Sequence, residues 1–246
     1  MEPHELPLEQ LLSPARYAKY RAAGDDAKAA RLYMWNCELS AAYWPSISLV
    51  EIAVRNAIDA QLCVHLGVSS DEGWYREVLA DRPRIHLTDK ERDKIKKVLD
   101  VFDRQNTAPG HPLREPTGGD VVSGLSLGFW VSLVGEGIPR QNQTYDYHRK
   151  LWRPFLHQAF PLYGPDGKNS PGAARGGLRE FELLRNRVAH HEPIFNFNHR
   201  YHRNNIVTIA GWINTDLAQF IREQHQAILQ PVIDRYRSYV VRPDSA

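Results

Sequence analysis

Between Leu183 and Phe195 the chain carries Arg185, Asn186, Arg187, His190, His191 and Glu192, and Pro193 closes the run. No other stretch gathers as many groups suited to chemistry. An arginine fork can clamp a phosphate and stabilise charge as it develops, a histidine can move a proton near neutral pH, and an asparagine can orient either of them. Those are the parts of metal-free RNA cleavage. A base takes the proton of the ribose 2′-hydroxyl, the oxygen attacks the adjacent phosphate, and a cation stabilises the crowded intermediate; DNA lacks the attacking group. The same residue types also make an ordinary charged helix end, and taken alone they leave both readings open.

Helical spacing decides how such groups could meet. At 100° per residue, Asn186 and His190 share a face, whereas Arg185 and His190 diverge by about 140°. Phe181, Leu184 and Val188 form the apolar stripe, and the small Ala189 permits close approach of another helix. A long arginine could wrap toward the histidine, or two copies of the helix could meet across a two-fold axis and gather two arginines and two histidines in one cleft. Glu192-Pro193 disfavours further helix, so His190 and His191 are expected in the last turn, where exposed carbonyls favour a charged imidazole.

Apolar residues recur mostly at helical intervals and strand signals are sparse, which predicts an all-α fold. Ser13-Pro14 starts a helix to Ala23, and Gly24-Asp25-Asp26 separates it from one running to about Tyr43. Pro45 can open a third segment, Ser46 to His65, stopped by Gly67, and the two together can form one long kinked helix. Thr88 to Gln105 is charged, with a narrow stripe of Ile95, Val98, Leu99 and Phe102. Asn106 to Gly119 reads as a loop and Val121 to Val134 as a core segment; Tyr145 to Phe160 is expected to be helical. The breaker-rich Pro161 to Gly177 precedes the motif helix, and helices over Tyr201 to Gln224 and Gln226 to Val240 close the chain. Aromatics at helical spacing, such as Tyr33, Trp44, Phe129 and Trp130, read as core. Neither loop looks like a linker, so residues 1–246 are expected to form one domain.

The 246 residues are 42% hydrophobic, enough for a sizeable core. The formal charge is only +2, yet residues 175–203 hold six arginines (175, 179, 185, 187, 200, 203) against three glutamates (180, 182, 192), a local excess that suits an anion. Cys37 and Cys63 lack CxxC spacing, and no leader or membrane-length apolar run is visible. These features predict a cytoplasmic protein with reduced thiols and no membrane partner. No GxxxxGK[ST] pattern and no GxGxxG after a strand is present, and Gly124-Leu125-Ser126-Leu127-Gly128 has GxSxG spacing without the preceding strand signal of a nucleophile elbow, which sets aside nucleotide-hydrolase, nicotinamide and serine-hydrolase chemistry.

The run Arg185-Asn186-Arg187-Val188-Ala189-His190-His191-Glu192-Pro193-Ile194-Phe195 resembles the signature of the Abi-like (abortive infection, AbiD and AbiF type) proteins of the HEPN superfamily, marked by Arg, a polar residue, three variable positions and His. Leu125 to Leu133 is similar to that family's mid-chain segment, and Glu51 to Ile58 to its N-terminal helix motif, in the same order along the chain. The resemblance implies an HEPN-like helical bundle with additional peripheral helices, acting as a metal-independent endoribonuclease without a cofactor. It implies RNA as substrate, a homodimer with a composite site, a role as a phage-defence or toxin-type effector, and a neutralising antitoxin partner. By motif position, Arg185 is the phosphate-stabilising arginine, Asn186 the polar orienter and His190 the catalytic histidine. His191, Glu192 and Arg187 are supporting candidates, with His191 an alternative proton carrier.

Glu51, Arg55 and Asp59 repeat every fourth position and share a helix face. They read either as a solvated stripe or, for Glu51 and Arg55, as residues that brace the signature. Two alternatives stand beside the nuclease. A metal hydrolase would draw on His190, His191, Glu192, His199 and His202, but His191-Glu192 is followed by the helix-breaking Pro193 and then by Phe195 where the helical zinc pattern needs its second histidine. A non-catalytic RNA-binding or protein-interaction HEPN module would use the same helix for dimerisation only.

Overall fold

A computed structural model describes residues 7–106, 114–164 and 171–240. The described residues are all-α, with no strand beyond an isolated bridge between Gly137 and Asp146. The helices are α1 Leu8–Leu11, α2 Pro14–Arg21, α3 Asp26–Leu66, α4 Tyr75–Leu79, α5 Asp89–Asn106, α6 Gly118–Gly124, α7 Leu127–Leu133, α8 Pro171–Ala189, α9 His199–Ile213, α10 Thr215–Gln224 and α11 Gln230–Val240. Half of the expected Asn106–Gly119 loop, residues 107–113, and the middle of the Pro161–Gly177 stretch, residues 165–170, lie outside the described residues.

Helix α3 confirms the merging of two predicted segments into 41 residues. Its buried positions Leu39, Tyr43, Ile47, Val50, Val54, Ile58, Leu62 and Leu66 follow at intervals of three or four, so one face stays apolar along the helix. Pro45 lies inside it and removes a single backbone donor. Trp44 is 45% exposed, contrary to its assignment to the core, because it is one residue round the helix from Tyr43. The expected Tyr145–Phe160 helix is instead a 3₁₀ turn Gln143–Tyr145, a π-helical turn His148–Trp152 and a 3₁₀ turn Leu156–Ala159. Two other segments are split: Val121–Val134 by extended backbone at Leu125 and Ser126, and Tyr201–Gln224 at Asn214.

The chain divides into two compact units, each assembled from segments distant in sequence. The first comprises residues 1–49, 183–208 and 216–246, the second residues 50–182 and 209–215. In the second unit the aromatic core is built on Trp74, which stacks on Phe129 and meets Trp130 edge-on, both with ring centroids 5.9 Å away. The Trp74 indole donates to Asp59 at 2.7 Å. Asp59 is therefore engaged rather than part of a solvated stripe, and burial raises its carboxyl pKa above the usual range. Gly118 opens α6 under a capping box of Thr117 and Asp120; a Cβ there would lie 1.8 Å from the Ser70 carbonyl oxygen, so only glycine fits.

In the first unit, Trp35 on α3 donates to the Val232 carbonyl of α11 at 2.8 Å. Nearby, Tyr43 hydroxyl and His199 Nδ1 lie 3.2 Å apart, His225 Nε2 and Ser46 hydroxyl 3.0 Å apart, and Arg203 bonds Gln230. Burial, with the Arg203 charge close by, pushes both imidazoles down to about 4. Both are neutral at pH 7. The unfolded chain therefore binds protons more readily than the folded one between the ordinary histidine value near 6.5 and about 4. Their stabilising effect is complete above the ordinary value and is lost as pH falls through that window, on the order of 3 kcal/mol from each. Urea midpoints should fall steadily from pH 7 to 4.5, and less steeply in the His225→Gln variant. A midpoint flat over that range would contradict the assignment.

Candidate functional site

Helix α8 buries Ala174, Leu178, Phe181, Leu184 and Val188, which includes the three residues of the predicted stripe. It ends at Ala189. His190 is therefore the C-cap and His191 lies outside the helix, whereas both were expected in the last turn. The stop has a specific form. The His191 N–H donates to the Val188 carbonyl at 3.1 Å and the Glu192 N–H to the Arg187 carbonyl at 2.8 Å, the paired bonds of a Schellman cap. That cap needs a left-handed residue, and His191 supplies it with φ 54° in the position usually held by glycine.

Arg187 and Glu192 close the same turn through an ion pair of 2.7 Å, and the Arg187 guanidinium also lies 5.9 Å from the centre of the Phe197 ring. Both charges act on the turn itself. With each side chain about one-third exposed, the pair contributes little energy but fixes direction.

His190 is exposed. Its N–H bonds the Asn186 carbonyl at 2.9 Å, one helical turn back, and its own carbonyl accepts from Arg16 of α2 at 3.3 Å. Arg185 Nη1 reaches the Asn186 side-chain oxygen at a long 3.4 Å. The guanidinium thus bends round the helix toward the face that Asn186 and His190 share, which partly offsets the angle between positions 185 and 190. The arrangement presents an imidazole, an amide and a guanidinium at one helix end. It can bind an anion and exchange a proton with it.

Beyond the cap the chain is held by a residue that sequence reasoning missed. Asn36 of α3, 2% exposed, accepts from the N–H groups of Ile194 at 2.8 Å and Phe195 at 3.2 Å. Tyr20 of α2 packs on Phe195 with ring centroids 5.5 Å apart. The signal was present: Asn36 falls at helical spacing between the apolar Leu32 and Leu39, a core position where a lone amide needs a structural partner. Arg16 gave no comparable signal.

Glu51 and Arg55 are half-buried on the part of α3 that belongs to the second unit, and Arg55 helps to lower the Asp59 carboxyl against the effect of burial. Of the histidines in the metal alternative, His199 faces Tyr43 and His202 stacks on Phe197 with centroids 4.9 Å apart. Among the described residues no three His, Cys, Asp or Glu side chains form a metal-ligand group, and no helix is long and apolar enough to cross a membrane. No family model matches the chain, and no curated protein or solved structure is significantly similar to it.

Two substitutions check this geometry. Asn36→Ala strands two N–H groups, one of them on the fully buried Ile194, and should cost about 2 to 4 kcal/mol in urea unfolding; a loss below about 0.5 kcal/mol would show that the amide does not hold the segment. His191→Gly relieves the left-handed side chain and should raise stability by about 1 kcal/mol, read as a thermal midpoint a few degrees higher. A lower midpoint would mean that the His191 ring carries a contact worth more than the strain.

Proposed function

We propose that the chain is a metal-independent endoribonuclease of the Abi-like, HEPN type, working as a homodimer in phage defence or as a toxin-type effector. The observation that supports this reading is the stopped end of α8, where exposed His190 lies one turn from Asn186 and Arg185 reaches round to that amide. In the reaction, His190 takes the proton from a ribose 2′-hydroxyl. The 2′-oxygen bonds to phosphorus, and the bond to the departing 5′-oxygen breaks as that oxygen gains a proton. The products are a 2′,3′-cyclic phosphate and a 5′-hydroxyl. Arg185 stabilises the charge that builds on the phosphate oxygens, and Asn186 orients Arg185. A second copy supplies an equivalent arginine and histidine, so one protomer accepts a proton while the other donates. A cytoplasmic setting and a neutralising antitoxin belong to the same reading.

The test is incubation of purified protein with mixed RNA, with and without chelator. Wild type should leave cyclic phosphate ends, unaffected by chelation. Both His190→Ala and Arg185→Ala should lower the rate by at least about 100-fold. His191→Gly should retain cleavage; its loss there, with His190→Ala active, would move the proton carrier to His191. RNA bound but left intact at high concentration would assign the surface to a non-catalytic RNA-binding module, and RNA neither bound nor cut would overturn the proposal.

A further inference from the structure

The second unit holds a cavity of about 560 Å³ whose charged and titratable lining is wholly basic: Arg84, Arg149 and Lys150, with His65 and His86. Ile85 and Leu151 are also in the lining and are buried, so the cavity has an apolar floor beneath a cationic rim. Arg84 shares its charge with Glu77 at 2.8 Å. Arg149 and Lys150 make no ion pair among the described residues, and both are exposed. The adjacent Arg149 and Lys150 leave an excess of positive charge at the rim, which an anion would relieve.

The lining is also held in place. Arg149 and Lys150 sit on the π-helical turn His148–Trp152, a backbone form that concentrates at functional sites. The Asp146 carboxylate accepts from the Arg149 N–H at 3.0 Å and fixes the start of that turn. The preceding residue, Tyr147, is buried; its hydroxyl donates to Glu91 at 3.0 Å and accepts from the Thr88 N–H at 2.8 Å. On the other side, His65 lies flat against Phe155 with centroids 4.0 Å apart and planes 10° from parallel, so its ring direction is set. Two unpaired cations on a braced turn, an oriented imidazole and an apolar floor match a phosphate ester that also carries an organic group. The volume suits a ligand the size of a mononucleotide.

We propose that this cavity binds a terminal phosphate on a nucleotide, either free or at the 5′ end of an RNA strand. The proposal stands apart from cleavage at His190, since none of the lining residues belongs to that site. Binding is measured by calorimetry on the full chain at low salt, using inorganic phosphate, AMP, adenosine, and a short oligoribonucleotide with and without a 5′-phosphate. The His190→Ala variant is used so that RNA stays intact. AMP should bind at least tenfold tighter than adenosine, and raised salt should weaken it. The Arg149→Gln/Lys150→Gln double variant, whose exposed side chains make no hydrogen bond or ion pair among the described residues, should weaken AMP at least tenfold while its circular dichroism and thermal midpoint stay those of the parent. If AMP and the 5′-phosphorylated strand bind equally, the free nucleotide suffices; if only the strand binds, the source is an RNA end. No preference for the phosphorylated over the unphosphorylated ligand of either kind, or equal binding by the double variant, would overturn the proposal.

Discussion

The position at which α8 stops governs the arrangement of the candidate site. Pro193 disfavours helix at Glu192, so the chain leaves the helix axis within a few residues of Val188, in a region where the last carbonyls have no partners in the helix. The Schellman bonds to Val188 and Arg187 satisfy two of those carbonyls, and Arg16 reaches a third at His190. A helix one turn longer would carry His190 into its body. One turn shorter would remove the bond that sets it above Asn186. The placement of the imidazole thus follows from backbone hydrogen-bond satisfaction, before any chemistry is considered.

The exit is then fixed from inside the first unit. A segment leaving a helix end and entering the core brings its own donors, and Ile194 is fully buried. Asn36 supplies one oxygen for two of those donors, a division of labour that an apolar residue cannot perform. The neighbouring polar residues follow the same logic with a different outcome. Tyr43, Ser46, His199 and His225 pair within the unit beside Arg203, and the histidines remain neutral because burial, and then the half-buried Arg203 guanidinium, make a second and third charge there too costly. Within the first unit, His190 is therefore exposed at the helix end while His199 and His225 stay neutral.

The all-α class, the continuous α3 and the buried stripe of α8 were legible because each rests on a period of apolar residues that burial enforces. Leu39 to Leu66 on α3 and Ala174 to Val188 on α8 show that period directly. The segment Tyr145–Phe160 was misread for a related reason. Its Leu151, Trp152, Phe155, Leu156 and Ala159 are buried at intervals that a helix would also give, and the same residues are buried by successive π and 3₁₀ turns. Periodicity reports which residues go inside and is less sensitive to the hydrogen-bond ladder that puts them there. At the site, Arg185, Asn186 and His190 were visible as residue types at a spacing. The bend of Arg185 toward its neighbour Asn186 is a choice of side-chain rotamer, the cap depends on the backbone angle at His191, and the anchoring by Arg16 and Asn36 joins residues more than 100 positions apart; none of these is written in a local pattern.

His191 shows how these constraints combine. A side chain in the left-handed region costs on the order of 1 kcal/mol where glycine would cost almost nothing, so the conformation must be imposed by its surroundings. Here it is imposed three times over: by the cap bonds on either side of it, by the Arg187–Glu192 pair that spans it, and by the tethering of Ile194 and Phe195 just beyond. Strain held by several independent contacts is a feature of functional turns. It is consistent with a helix end that keeps His190 exposed one turn from Asn186, a geometry that Arg187 and Glu192 serve through their ion pair.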